Sequence, residues 1–262
     1  MTNLAYAVSD TRTMLRRNLR RALRYPSMTI SVVGTPLIFL LLFVYVFGRT
    51  LGAGIGGSAG GGRYIDYVAP GIFLMTAASA LVATSVSICT DMTEGIVARF
   101  RTMAIFRPSM LTGHVVSSVL QAMLATGLVI GVALLIGFRP TADAVRWIEA
   151  IGVLAMVTFA FTWLAVALGL VSKTPETASN LPLPLLLLPF LGSGFVPTGS
   201  MPVGLRWFAE YQPFTPIIET LRSLLMGTPL GLNAVLAVAW CGAITVAGYV
   251  ASVVLFNRGQ AR

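Results

Sequence analysis

The sequence predicts an all-α integral membrane protein: six transmembrane helices, an interfacial amphipathic helix before the first, and partly re-entrant external helices between spans five and six. Three observations carry that prediction. Charged residues make up only 10% of the 262, hydrophobic ones 56%, and the mean hydropathy is +0.84. An ordinary soluble domain holds about 25% charged residues, so this chain lacks the polar surface a globule in water needs. The apolar residues come in long runs, not in the alternating pattern of barrel strands. The cations outnumber the acids 18 to nine and cluster beside those runs. Intrinsic disorder is excluded, because a disordered chain needs low hydrophobicity and high charge.

The chain opens with six arginines, Arg12, Arg16, Arg17, Arg20, Arg21 and Arg24. On a helical wheel Leu4, Val8, Leu15, Leu19, Ala22 and Leu23 form one apolar stripe, and the arginines from Arg16 onward lie opposite. Residues 4–25 therefore read as a helix lying along the inner leaflet. Anchoring against anionic lipid accounts for the basic balance more simply than nucleic acid does, and no nucleic-acid partner is expected. Arg16-Arg17 matches the opening of a twin-arginine signal, but the apolar run that follows is too long and lacks a small-residue cleavage site.

A crossing helix needs about 20 mainly apolar residues. Six segments qualify or come near: Thr29–Gly48, Tyr67–Cys89, Val115–Phe138, Ile148–Val171, Leu181–Phe195 and Asn233–Phe256. The fifth is short and carries Pro182, Pro184 and Pro189. Each proline removes a backbone donor, so this span reads as broken or wrapped by its neighbours.

Orientation follows from the cations. With the N-terminus inside, the cytoplasmic segments hold the six opening arginines, then Arg99, Arg101 and Arg107, then Lys173, then Arg258 and Arg262. The external segments hold Arg49, Arg63, Arg139, Arg146, Arg206 and Arg222. Twelve against six puts both termini in the cytoplasm of a cell-membrane protein.

The predicted spans contain one ionisable group, Glu149, at an edge. An ion-coupled carrier needs buried carboxylates or histidines, and an intramembrane protease or metal enzyme needs a cluster of bases, nucleophiles or ligands. Both classes are argued against, and no metal site is expected. The lone histidine, His114, reads as an interfacial side chain. Cys89 and Cys241 lie in apolar runs and read as small buried residues, not a disulfide framework or metal site. Gly52, Gly54 and Gly57 fit a dinucleotide-binding glycine pattern but follow no strand, so a flexible external linker is the better reading. Ser172-Lys173-Thr174 lacks the glycines of a phosphate-binding loop. What remains is an uncharged polar interior, including Thr76, Ser79, Thr84, Ser85, Gln121, Thr126, Thr158 and Thr162. Such groups hold helices together or line a path for an amphiphile. Thr76, Ser79, Phe73 and Phe159 are the candidate path residues.

Two connecting segments are not ordinary loops. In Asp91–Pro108, Met92, Ile96, Phe100 and Met103 share one face, and Asp91 with Glu94 resembles a capping box. This predicts a short cytoplasmic amphipathic helix ended by Pro108, laid on the membrane or in a partner's groove. The external stretch Gly192–Gly231 is too apolar for a solvated loop and is punctuated by Pro197, Pro202, Pro213 and Pro216. Val203–Tyr211 and Pro216–Met226 are predicted as short helices that dip into the outer leaflet, with Trp207 and Tyr211 at the interface. Glu219 and Arg222, three apart, share a helix face.

These parts together resemble the ABC-2 type permeases, the membrane subunits of type-2 ABC exporters, over nearly the whole chain. The external resemblance runs through Gly192–Pro197, Met201-Pro202, Arg206–Phe208, Tyr211–Pro213 and Glu219–Arg222. Gln212 stands where the family usually has asparagine. The cytoplasmic resemblance is Glu94-Gly95, then Arg99-Phe100-Arg101 and Pro108. Among subgroups, the daunorubicin-resistance-type permeases are the most similar.

The resemblance implies one transmembrane domain over 1–262, paired with a separate ABC ATPase in two copies and with a second permease copy, expected as a homodimer. This chain would bind no cofactor and perform no catalysis; ATP and magnesium would sit on the ATPase. Glu94, Gly95, Ile96, Arg99, Phe100 and Arg101 would couple to the ATPase. Phe195, Pro197, Met201, Pro202, Trp207, Pro213, Glu219 and Arg222, within 196–230 and its flank, would form the outer gate. The implied function is ATP-driven export of an amphiphilic drug-like molecule or lipid. Export of a lipid-linked glycan or envelope lipid is the alternative within the family, and a non-transporting membrane scaffold the alternative outside it.

Overall fold

The structure is a computed structural model that describes residues 26–50, 63–93 and 108–258. The interfacial helix expected over 4–25, the glycine-rich stretch 52–62 and the coupling residues Glu94, Gly95, Ile96, Arg99, Phe100 and Arg101 lie outside the described residues. The described residues are helical, with no strand among them.

Helix α1, Pro26–Leu41, passes into a π-helical turn, Leu42–Val46, closed by Phe47 N–H donating to the Leu42 carbonyl at 3.1 Å. Pro36 lies inside α1, where it removes one backbone donor. Helix α2, Tyr64–Thr93, is the centre of the bundle and buries residues along most of its length. Helices α3, Pro108–Leu135, and α4, Ala144–Val171, pack against it. Asp143 caps α4 by accepting from the Arg146 N–H at 2.9 Å.

The chain then turns through α5, Pro175–Asn180, and α6, Leu183–Leu187, and ends this passage in a 3₁₀ turn, Leu188–Leu191. Two short helices follow: α7, Val203–Tyr211, and α8, Phe214–Met226. The last helix is α9, Leu232–Arg258.

Among the described residues, four helices are long and apolar enough to cross a membrane: Tyr64–Thr93, His114–Leu135, Ala144–Val171 and Leu232–Phe256. The first predicted span has a shorter apolar helix, Val33–Val46. The fifth is not one helix from Leu181 to Phe195. Its helical course starts at Pro175, breaks near Pro182 and ends at Leu191, because three prolines cannot donate to a continuous ladder.

Other predicted limits are also corrected. Helix α2 runs four residues past Cys89, so Asp91 belongs to its last turn and does not open a new helix. Thirty residues rise about 45 Å, more than the roughly 30 Å hydrocarbon core, and nothing forces a helix to stop at the membrane edge. Pro108 is the first residue of α3. Proline suits that position, where its missing N–H has no intrahelical partner anyway.

Glycines set the closest helix approaches. A Cβ on Gly169 of α4 would lie 2.7 Å from the Ser85 carbonyl oxygen of α2. One on Gly248 of α9 would lie 2.8 Å from the Leu164 nitrogen of α4. Small residues at such crossings let backbones pack where lipid offers no hydrophobic drive. The bundle thus has two ends. Tyr64, Arg139, Arg146 and Thr228 lie at one, where Arg146 reaches the Thr228 carbonyl and Asp66 accepts from the Arg139 N–H. Asp91, His114 and Ser172 lie at the other, with Phe256 packed nearby.

Candidate functional site

The first end of the bundle is built around α8. Pro213 precedes its first turn and Gly227, in the left-handed region at φ 71°, ends it. In between, Phe214, Ile217, Ile218, Leu221, Leu224 and Leu225 are buried. Each such side chain is worth roughly 1.5–3 kcal/mol relative to exposure in water. The helix packs against α2, α4, α9 and the 3₁₀ turn. It is part of the core, in which Phe161 of α4 stacks on Phe214 with centroids 5.4 Å apart.

Arg222 anchors α8 to its neighbours. Its guanidinium pairs with Glu219 one turn earlier, as their spacing allows. Nη2 donates to the Ser193 carbonyl at 2.8 Å and to the Tyr67 carbonyl at 3.2 Å, and Nε to the same Tyr67 carbonyl at 3.3 Å. The carbon of the guanidinium lies 3.9 Å above the Tyr67 ring. Tyr67 in turn donates its hydroxyl to the Ser193 carbonyl at 3.0 Å. Three segments, α2, α8 and the turn after the fifth passage, therefore meet on one cation.

That turn, Gly192–Pro197, is held from every side. Tyr64 donates to the Phe195 carbonyl at 3.2 Å. Gln212 donates to the Leu188 carbonyl at 3.1 Å, and Thr215 accepts from the Ser193 N–H at 3.3 Å. A Cβ on Gly192 would lie 2.6 Å from Gln212 Nε2 and 2.7 Å from Thr215 Oγ1. A Cβ on Gly71 would lie 2.8 Å from the Gly194 carbonyl oxygen. Phe195 stacks between Phe43, at 4.4 Å, and Phe190, at 4.6 Å. The glycines admit the close approach and the aromatic stack fills what is left.

The other predicted gate residues are placed differently. Pro197 and Met201 are half-buried beside the 3₁₀ turn Thr198–Ser200, and Pro202 precedes α7. In α7 only Ala209 is buried; Val203, Leu205, Trp207, Phe208 and Tyr211 are exposed. Helix α7 packs mainly on α8 and the 3₁₀ turn before it. Its apolar residues spread around most of its circumference, and of these only the small Ala209 is buried.

The four candidate path residues do not share one surface. Phe73 and Thr76 are fully buried in α2, the first edge-on to Phe138 and the second donating back to the Ile72 carbonyl. Ser79 is half-buried and donates to the Thr76 carbonyl. Phe159 is exposed on α4, edge-on to Trp163. Thr158 and Thr162 also spend their hydroxyls on carbonyls one turn back.

One pair escaped the sequence reading. His114 is not at a surface: Nε2 stands 2.9 Å from Asp91 Oδ2, with the side chains 5% and 2% exposed. The approach is close enough for an ion pair but too oblique for a full hydrogen bond. The residues are 23 apart in sequence, and only the packing of α2 against α3 brings them together.

Comparison with known proteins agrees with this architecture. The model of the ABC-2 type transporter family matches residues 9–226. The daunorubicin resistance ABC transporter permease protein DrrB1 of Streptomyces coeruleorubidus is 32% identical over 225 residues, which is 86% of this chain and 77% of that protein. The "Probable doxorubicin resistance ABC transporter permease protein DrrC" of Mycobacterium tuberculosis (strain H37Rv) is 21% identical over 248 residues, covering 95% of this chain and 89% of that protein.

Proposed function

The chain belongs to the ABC-2 type transporter family, and from that premise we propose that it is the membrane subunit of an ATP-driven exporter of amphiphilic, drug-like molecules. A separate ABC ATPase, in two copies, supplies the energy and holds ATP and magnesium. A second copy of this chain completes the path, since few spans in one subunit leave little room for a cargo-sized channel and a closed two-fold pair is the commonest assembly.

The observation that carries this reading is the match over 9–226 together with a membrane bundle whose one end is filled by the buried helix α8. Resemblance to the two drug-resistance permeases supports the cargo class. In this account α1 with its π-helical turn and the broken passage 175–191 complete six crossings. The end bearing Asp91 and His114 faces the cytoplasm of a cell-membrane protein, in line with the twelve cations assigned there. Residues 4–25 and 94–107 contact the ATPases.

Helices α7 and α8 then form the outer gate, with α7 in the outer leaflet interface and α8 re-entering behind it. Arg222 spends its donors on its own subunit. It holds α8 and the Gly192–Pro197 turn in the closed position within each copy, instead of bridging two copies.

Co-expression with an ABC ATPase encoded beside this chain tests the reading. Purification through a tag on this chain should bring down the ATPase in equal amount, with hydrolysis raised by daunorubicin. A chain that inserts and dimerises but never retains such an ATPase is a scaffold, not an export permease.

A further inference from the structure

We propose that Asp91 and His114 are a positioning pair that makes the ends of α2 and α3 move as one body. The inference rests on the export reading, in which these ends flank the segment that meets the ATPase.

Four observations support it. The two groups are the buried acid and imidazole at this end, 2.9 Å apart and 2% and 5% exposed. Both side chains are short, with two rotatable bonds each, so the contact has little slack; a Glu–Lys pair of the same separation could stretch. Beside it, Ile88 of α2, Val115 of α3 and Trp163 and Val166 of α4 form a separate apolar cluster, which removes water and raises the strength of a polar contact. Finally, α2 ends two residues after Asp91, and α3 begins six residues before His114. The pair thus sits where force arriving from 94–107 would enter both helices.

Loss of the carboxylate would leave the buried His114 Nε2 without its partner, and loss of the imidazole would remove the contact that joins the two helices, so the helix ends should separate or admit water. A displaced segment would then move one helix without the other. With the pair intact, α2 carries the displacement along its length to Tyr67, which holds Arg222 and α8 at the far end.

The test uses the permease–ATPase complex with Cys89 and Cys241 replaced by alanine and spin labels at Thr93→Cys and Val116→Cys, both exposed positions. The distance between labels is read without nucleotide and in the ATP–vanadate-trapped state. The parent should shift by less than about 1 Å, below the usual 1–2 Å of helix displacements in switching proteins. Asp91→Asn and His114→Gln, which keep side-chain size, should each broaden the distance distribution and lower daunorubicin-stimulated hydrolysis relative to basal hydrolysis. A parent distance that changes between states overturns the proposal, as does a parent-like distribution in both variants. The parent measurement decides even if a variant fails to insert. If no ATPase is retained, the export reading fails, while the label distances in the permease alone still judge the pair.

Discussion

Arg222 of α8 lies over the ring of Tyr67 in α2, 3.9 Å from its centroid, and donates to the carbonyl of that same residue. One side chain thus reads both the backbone and the ring of its partner. Arginine is suited to this because its planar fork can stack and donate at once, which lysine's point charge cannot.

Arg222→Ala should therefore loosen the end of the bundle that holds α8. It removes the donors to Tyr67 and Ser193 and leaves Glu219 without its cation. Deleting one partner of a buried pair costs about 3–5 kcal/mol; Glu219 is 30% exposed, so about 2–3 kcal/mol is expected. Thermal unfolding in detergent should show a lowered midpoint, with Arg222→Lys in between. In the assembled exporter, basal hydrolysis should rise. An unchanged midpoint in Arg222→Ala removes the clamp from this account.

Gly71→Ala tests the contact that seats the Gly192–Pro197 turn. The added carbon would meet the Gly194 carbonyl oxygen at 2.8 Å, a backbone atom that cannot rotate away. Overpacking of this kind costs about 1–3 kcal/mol. Gly127→Ala, where nothing lies within 4 Å, should be neutral. Equal yields of folded protein from the two would contradict the placement of the turn against α2.

Several of these features were legible in the sequence. Pro202 and Pro213 bracket ten mainly apolar residues, and α7 lies at Val203–Tyr211 as that punctuation predicts. Helix α8 begins two residues earlier than predicted, at Phe214, because Pro216 is tolerated in a first turn. The three-residue spacing of Glu219 and Arg222 foretold their pairing, but nothing local could show that Arg222 also reaches two backbone carbonyls on other segments.

Burial was harder to read than helix position. Phe73 and Thr76 resemble path-lining residues in a list of composition, yet α2 is surrounded by other helices and both are fully enclosed. The Asp91–His114 pair depends on the register of two antiparallel helices, which a separation of 23 residues does not fix. Three prolines announced the break in the fifth passage; its course from Pro175 to Leu191 depends on packing along α2.

Phe100→Ala addresses the ATPase contact predicted from the amphipathic face of 91–108. If Phe100 fills a groove in the ATPase, its loss should cut retention of that subunit at least tenfold, as a buried aromatic anchor does at about 2 kcal/mol or more. Membrane insertion should be unaffected. Full retention with unaltered export would assign the contact elsewhere.

Topology can be read with single cysteines in a chain lacking Cys89 and Cys241. Ser200→Cys and Lys173→Cys are both exposed positions at opposite ends of the fifth passage. A membrane-impermeant thiol reagent applied to intact cells should label the first and not the second. The reverse pattern would invert the orientation drawn from the cations.

Export itself is tested most directly in proteoliposomes containing the purified permease and its ATPase. With ATP supplied on the ATPase side, the account predicts magnesium-dependent movement of daunorubicin away from that side, lost in Phe100→Ala and in an ATPase that binds but cannot hydrolyse ATP. Assembly and hydrolysis at wild-type levels, with no movement of daunorubicin or any amphiphile of its kind, would contradict it.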